Sequence, residues 1–115
     1  MACTNVSGAV AQIQTVVNER NDEYNKASAL STGALRNGAT VKSDLRLALL
    51  NSLDADKDYL AWAQQQESEC PSQTSAYDDA LTADGQASNS KSAFVSVWNP
   101  IASTYGFAPA STGNI

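Results

Sequence analysis

The stretch from Val41 to Ser68, VKSDLRLALLNSLDADKDYLAWAQQQES, has the most regular pattern in this chain of 115 residues. Its apolar side chains recur every three or four positions, the spacing that places them on one face of an α-helix. Thr40 or Ser43 can cap the start of the helix. Pro71 prevents its continuation, because proline lacks an amide hydrogen and clashes with the preceding turn. The predicted apolar face consists of Val41, Leu45, Leu49, Leu53, Leu60 and Ala63.

The same spacing precedes this segment, from Asn5 towards Leu35. It predicts a first helix that ends before the sequence Arg36-Asn37-Gly38, since Asn-Gly is typical of a turn. Gly33 weakens the last part of the pattern, so an end near Ser31 is also consistent with it.

A third helix is predicted from Ala76 to Tyr105. Its apolar face consists of alanines in the first half and of aromatic residues in the second. Asn99-Pro100 lies inside this run and is expected to kink or break the helix.

Three helices joined by short turns must alternate in direction. We therefore predict an all-α protein, a small antiparallel up-down-up three-helix bundle. A single domain is expected over residues 1–105, followed by a flexible C-terminal tail over 106–115, which has no periodicity. The 19 alanines nearly equal the 21 Leu, Val, Ile and Phe residues together, so the core should be thin and lined by alanine.

The two cysteines, Cys3 and Cys70, lie equally far along the chain from the Arg36-Asn37 turn. Residues equally distant from the turn of a helical hairpin face each other, so a disulfide between them is predicted to tie the bundle. In the chain-entropy model such a long loop contributes about 4 kcal/mol. Two alternatives stay open: both cysteines are free thiols in a reducing compartment, or Cys3 carries a lipid.

Composition bears on location and on partners. The chain is rich in Ser, Thr, Asn, Gln and Ala and poor in Lys, which favours a secreted or extracytoplasmic protein. Met1-Ala2-Cys3 does not resemble a signal peptide, so we expect Met1 to be a start residue placed before a mature domain. The net charge of −5 argues against nucleic acid and anionic membranes as partners. No segment is long and apolar enough to be expected to span a membrane.

The chain has no histidine, which removes the commonest general base and zinc ligand. We therefore expect no enzyme activity, no metal and no cofactor. Asp54, Asp56 and Asp58 have the alternate spacing of a calcium loop, but Tyr59 stands where that loop needs glycine and Gln65 where it needs glutamate. A solvated acidic surface is the simpler interpretation.

Asp56 lies on the apolar face of the second helix, where a carboxylate needs a partner. Arg20 of the first helix lies nearly opposite in the hairpin. An ion pair between Arg20 and Asp56 is therefore predicted to set the helix register, with a functional acid as the alternative.

The aromatic end of the bundle is the best candidate for a binding site. Its residues can be plain core, or they can line a small apolar pocket at the Pro100 break. Leu47 and Leu50 lie off the main apolar face and could form a patch for a partner. The predicted pocket residues are Leu35, Val41, Leu45, Phe94, Trp98, Ile101 and Tyr105.

The leading hypothesis is a non-catalytic interaction or structural module that binds an unidentified protein or a cell-surface partner. A carrier of a small apolar or aromatic ligand, bound between the helices at the Phe94, Trp98 and Tyr105 end, is the alternative. An enzyme ranks third, because acid and base chemistry would depend on isolated carboxylates.

Overall fold

The computed structural model describes residues 4–70 and 75–115. Helix α1 spans Val6–Ser28, α2 spans Gly38–Ser68 and α3 spans Ser75–Tyr105, and a short 3-10 turn follows at Thr112–Asn114. No β-strand occurs in these two ranges. The prediction of an all-helical protein with three helices is confirmed.

Contacts between α1 and α2 show that these helices run in opposite directions. Close to the turn between them, Arg46 Nε donates a hydrogen bond to Ser28 Oγ over 3.1 Å. Farther away, Arg20 Nε lies 3.4 Å from Asp56 Oδ2. The contact partner in α2 thus has a higher residue number where the α1 residue has a lower one, as in an antiparallel pair of helices.

Helix α3 runs antiparallel to α2 in the same way. Asn51 Nδ2 donates to Ser90 Oγ over 2.6 Å near the middle of both helices. The ring centroids of Trp62 and Tyr77 lie 4.8 Å apart nearer the second turn. Helix α2 is therefore the central helix, with one neighbour on each side.

The two outer helices do not pack against each other. Within the described part of the chain, α2 packs against both α1 and α3, but no Cα atom of α1 comes within 8 Å of one in α3. The Cα atoms extend over 52 × 21 × 19 Å, so the molecule is a rod. The backbones of α1 and α3 are therefore farther from each other than either is from α2.

The core is thin and lined by alanine, as the composition predicts. Near the first turn it also contains a cluster of larger side chains formed by Val41, Phe94 and Ile101. Eight of the fourteen buried hydrophobic residues in the described ranges are alanines: Ala27, Ala48, Ala55, Ala63, Ala80, Ala83, Ala87 and Ala102.

Helix α1 is shorter than the apolar spacing predicts. It ends at Ser28, and the amide of Ala29 closes it by donating to the carbonyls of Asn25 and Lys26. Leu35 packs against the core cluster from the loop between α1 and α2. An end just before Arg36 was therefore wrong, and the alternative end near Ser31 lies closer to the observed one. A loop can return an apolar side chain to the core without helical geometry.

Helix α3 is not broken at Asn99-Pro100, which corrects the prediction of a break. It continues through Pro100 to Tyr105. Proline removes the amide that would bond to the carbonyl of Ser96. Both Ser96 and Pro100 are exposed, so water can satisfy that carbonyl and the helix can continue.

The C-terminal tail, residues 106–115, turns back along α3 instead of extending away from it. Gly106 starts the reversal with a φ of 75°, a left-handed conformation that favours glycine. Asn99 then holds Ala110 through two hydrogen bonds: its Oδ1 accepts from the Ala110 amide over 2.8 Å, and its Nδ2 donates to the Ala110 carbonyl over 3.1 Å. Ile115 packs against the core cluster. The predicted flexibility of this segment stays a prediction.

Cys70 lies just beyond α2 and is partly buried. It lines a shallow depression together with Asn5, Val6 and Ser7 at the start of α1. Cys3 lies outside the described residues, so the disulfide between Cys3 and Cys70 stays a prediction.

Candidate functional site

A groove of about 850 Å³ lies between α1 and α3. Leu45 and Leu49 of α2 form its floor, and Phe94 and Trp98 of α3 form one wall. The other wall comes from the second half of α1 and the residues after it, and the C-terminal tail closes one end. The second wall consists of Arg20, Glu23, Lys26, Ala27 and Leu30. The closed end consists of Ala108, Pro109, Ala110, Gly113, Asn114 and Ile115.

Four aromatic rings form a continuous stack at this end of the molecule. The ring centroids of Phe94 and Trp98 lie 6.3 Å apart, and those of Trp98 and Phe107 lie 5.9 Å apart. Tyr105 adds a fourth ring 5.9 Å from Phe107. The planes of neighbouring rings differ by only 9°, 2° and 16°, so these are offset, nearly parallel pairs. The stack leads from the buried Phe94 to the half-exposed Phe107.

The predicted pocket residues divide among three environments. Leu45, Phe94 and Trp98 line the groove. Leu35, Val41 and Ile101 instead belong to the packed core cluster, so the interpretation of these residues as core was the better one for them. Tyr105 and Ile101 border a separate hollow of about 480 Å³ beside the first turn.

Most residues that line the groove were not predicted from the sequence. Ala27, Leu30 and Leu49 line it but were not among the predicted pocket residues. Leu49 belongs to the predicted apolar face of α2, so its contribution could have been found from spacing. The tail residues could not, because an aperiodic segment carries no signal for where it docks.

Arg20 and Asp56 lie together, as predicted, beside the groove. Arg20 Nε is 3.4 Å from Asp56 Oδ2, and Arg20 Nη1 is also 3.4 Å from Glu23 Oε2. Burial raises the pKa of Asp56 above its ordinary value of 3.8, and Asp84 adds to the rise, whereas Arg20 and Lys91 oppose it. Desolvation of this carboxylate therefore outweighs the attraction of its partners.

Asp58 of α2 lies near other carboxylates of α2 and α3. Burial raises the pKa of Asp58, and the neighbouring carboxylates of Asp79 and Asp54 raise it further. Within the described ranges no group of three or more His, Cys, Asp or Glu side chains could hold a metal ion. The carboxylates Glu19 and Glu23, one turn apart on α1, are both exposed.

The predicted partner patch is only partly exposed. Leu47 is 49% exposed on α2, whereas Leu50 is half-buried. Leu30, which lines the groove, is 46% exposed. Leu47 and Leu30 are thus exposed to a similar extent, but Leu30 lines the groove and Leu47 lies outside it.

Comparison with protein-family models, with curated proteins and with solved structures finds no match for this chain. None of the described helices is both long enough and apolar enough to cross a membrane.

Proposed function

We propose that this protein is a non-catalytic interaction module that binds a segment of another protein in the groove between α1 and α3. The observation that carries the proposal is the groove itself, which lies between two helices with no Cα atoms within 8 Å of each other and is lined by the partly exposed Leu45 and the half-exposed Leu30. A groove with an apolar floor and polar rims is the kind of surface that accepts an amphipathic segment.

The C-terminal tail supports a chain segment as the natural occupant. Pro109 and Ala110 of the tail form one end of the groove, and Ile115 reaches the core cluster. Polypeptide without helical structure thus packs beside the groove, where Asn99 holds it by hydrogen bonds. A second segment from a partner would extend the same mode of contact towards Leu30.

We also propose that the module is extracytoplasmic and tied by a disulfide between Cys3 and Cys70. The start of α1, Asn5 to Ser7, borders the same depression as Cys70, which supports the proximity that the bridge requires. Disulfides persist in oxidising compartments and are rare in the cytosol. The proposed extracytoplasmic location therefore depends on whether the disulfide between Cys3 and Cys70 forms.

A labelled synthetic peptide tests the binding mode. About 18 residues span about 27 Å as a helix, close to half of the 52 Å rod. The peptide should carry Leu and Phe on one face and uncharged Gln and Ser on the other. Fluorescence anisotropy should show saturable binding to the wild-type protein.

Leu30→Ser and Leu47→Ser provide a matched pair of variants, since both side chains are about half exposed. Leu30→Ser should weaken peptide binding about fivefold to tenfold through lost apolar contact, and Leu47→Ser should leave it unchanged. Equal losses in both variants, or no saturable binding to the wild type, would show that the groove is not the binding surface.

A carrier of a small apolar or aromatic ligand is the second candidate, favoured by Phe94 and Trp98 in the groove wall. Fatty acids, sterols or aromatic metabolites would then change the emission of Trp98 and raise the melting temperature by mass action. The Trp98→Phe variant should lose the change in emission and keep the rise in melting temperature.

A further inference from the structure

Charged side chains are distributed unevenly along the rod. The half that contains the first turn, residues 24–50 and 91–115, carries five basic side chains, Lys26, Arg36, Lys42, Arg46 and Lys91, but only one acidic side chain, Asp44. The other half, residues 4–23, 51–70 and 75–90, carries eleven acidic and two basic side chains. The side-chain charges of the two halves are therefore +4 and −9, whereas the whole chain has −5.

The groove opens mainly in the basic half. Leu30, Leu45 and Trp98 all belong to that half. Its charged lining consists of Arg20, Glu23 and Lys26. Arg20 is paired with Glu23 and with Asp56, while Lys26 has no ion-pair partner among the described residues, so its charge is available to a ligand.

The basic half also exposes most of the large apolar side chains. Four of the six exposed large apolar side chains in the described ranges lie there: Leu30, Leu47, Tyr105 and Phe107. The last two belong to the aromatic stack. Basic and apolar groups are thus combined at one end of the rod. A partner that matches both features must carry negative charge beside an apolar face.

We infer that the partner of the groove is an acidic amphipathic protein segment, with Leu or aromatic residues on one face and Asp or Glu on the other. The inference rests on the proposed function and adds the chemistry of the partner. The net negative charge of the chain opposes such a partner only at long range. In the groove lining the carboxylate of Glu23 is paired with Arg20, which leaves the charge of Lys26 without an ion-pair partner among the described residues. Screening over about 8–10 Å at physiological salt weakens the effect of the distant acidic half.

Three labelled peptides with one shared apolar face test the inference: the uncharged peptide described above, a version with Glu on the polar face and a version with Lys there. At low salt the Glu peptide should bind at least about tenfold tighter than the Lys peptide. At high salt the two affinities should converge towards that of the uncharged peptide, since screening removes the charge contribution.

Lys26→Gln and Lys57→Gln are matched variants, because both lysines are exposed but lie in opposite halves. Lys26→Gln should weaken the Glu peptide about threefold at low salt and leave the uncharged peptide unaffected. Lys57→Gln should not weaken the Glu peptide.

Equal affinity for the Glu and Lys peptides would overturn the inference but leave the groove as a binding site, whereas failure of all three peptides would overturn both. Vesicles containing phosphatidylglycerol serve as a competing probe. If they bind the protein in a salt-dependent manner while the Glu peptide does not, the basic end meets a membrane surface and the inference is wrong. The protein could instead associate with itself at low salt, lose that association in Lys26→Gln and fail to bind the Glu peptide. This result would also overturn the inference, because the partner would then be a second copy of this chain.

Discussion

Gly38 is the position where a single methyl group should cost the most stability. It is the first residue of α2 and is buried. A Cβ atom built there would overlap the carbonyl oxygen of Thr32 and lie 2.8 Å from the carbonyl carbon of the same residue. The obstacle is backbone rather than the end of a flexible side chain, so Gly38→Ala must displace the loop that joins α1 to α2.

The cost can be worked out from the contacts that hold this loop. Thr32 Oγ1 donates to the carbonyl of Gly38 over 2.8 Å, and the amide of Leu35 donates to the carbonyl of Thr32 over 3.0 Å. Loss of both hydrogen bonds removes about 1–3 kcal/mol, and strain from overpacking adds about 1–3 kcal/mol. The better helix propensity of alanine returns at most about 1 kcal/mol. A net loss of about 1–5 kcal/mol in the free energy of unfolding is expected.

Urea unfolding followed by circular dichroism measures this loss. Gly85→Ala is the matched control, because Gly85 is exposed inside α3 and a Cβ there meets nothing within 4 Å. It should stabilise the protein by about 0.5–1 kcal/mol. The two substitutions are chemically identical and should act in opposite directions. If Gly38→Ala is as stable as the wild type, the close approach between Thr32 and α2 is wrong, and with it the geometry of the first turn.

Three further predictions concern the bridge, the ion pair and the tail. Peptide mapping without reduction should recover Cys3 and Cys70 as one linked fragment; two separately alkylated cysteines would contradict the bridge. Because burial raises the pKa of Asp56 above 3.8, the folded state binds that proton more tightly than the unfolded state, and the wild type loses stability at this site as the pH rises through the raised pKa. Asp56→Asn lacks this loss but can still accept a hydrogen bond from Arg20, so its unfolding midpoint in urea should improve relative to wild type between about pH 3 and about pH 7; a constant difference would mean that Asp56 is solvated. Asn99→Ala removes the two hydrogen bonds between this side chain and Ala110, so amide hydrogen exchange over residues 107–115 should accelerate severalfold while α2 exchanges as before; unchanged exchange would show that the other contacts of the tail, among them the hydrogen bond from Trp98 Nε1 to the Ala108 carbonyl, hold it without Asn99.

Much of the helical framework can be predicted from local pattern. The apolar spacing of 41–68 corresponds to α2, which spans Gly38–Ser68, and the pairing of Arg20 with Asp56 follows from helical faces and the position of the first turn. These features depend on the backbone period and on chain reversal, which neighbouring residues largely determine. The end of α1 could not be predicted from local pattern, because Leu35 reaches the core from a loop.

The candidate site was only partly predictable for the same reason. Leu45, Phe94 and Trp98 belong to periodic faces and were found, whereas the contribution of Leu30 and of the tail was not. Gly38 shows the limit most directly: in the sequence Asn-Gly indicates a turn, but the requirement for glycine comes from the approach of Thr32. An approach between separate segments leaves no periodic signal.

The sequence by itself thus determined three amphipathic helices, their antiparallel order and a thin alanine-lined core, because each follows from spacing, turn residues and side-chain volume. Only the tertiary structure decided that α1 and α3 stay apart, that α2 floors an open groove and that the tail closes one end of it. The angle at which two helices pack around a third depends on the fit of side chains on all three surfaces at once. Short-range patterns describe each surface separately and carry no information on that joint fit.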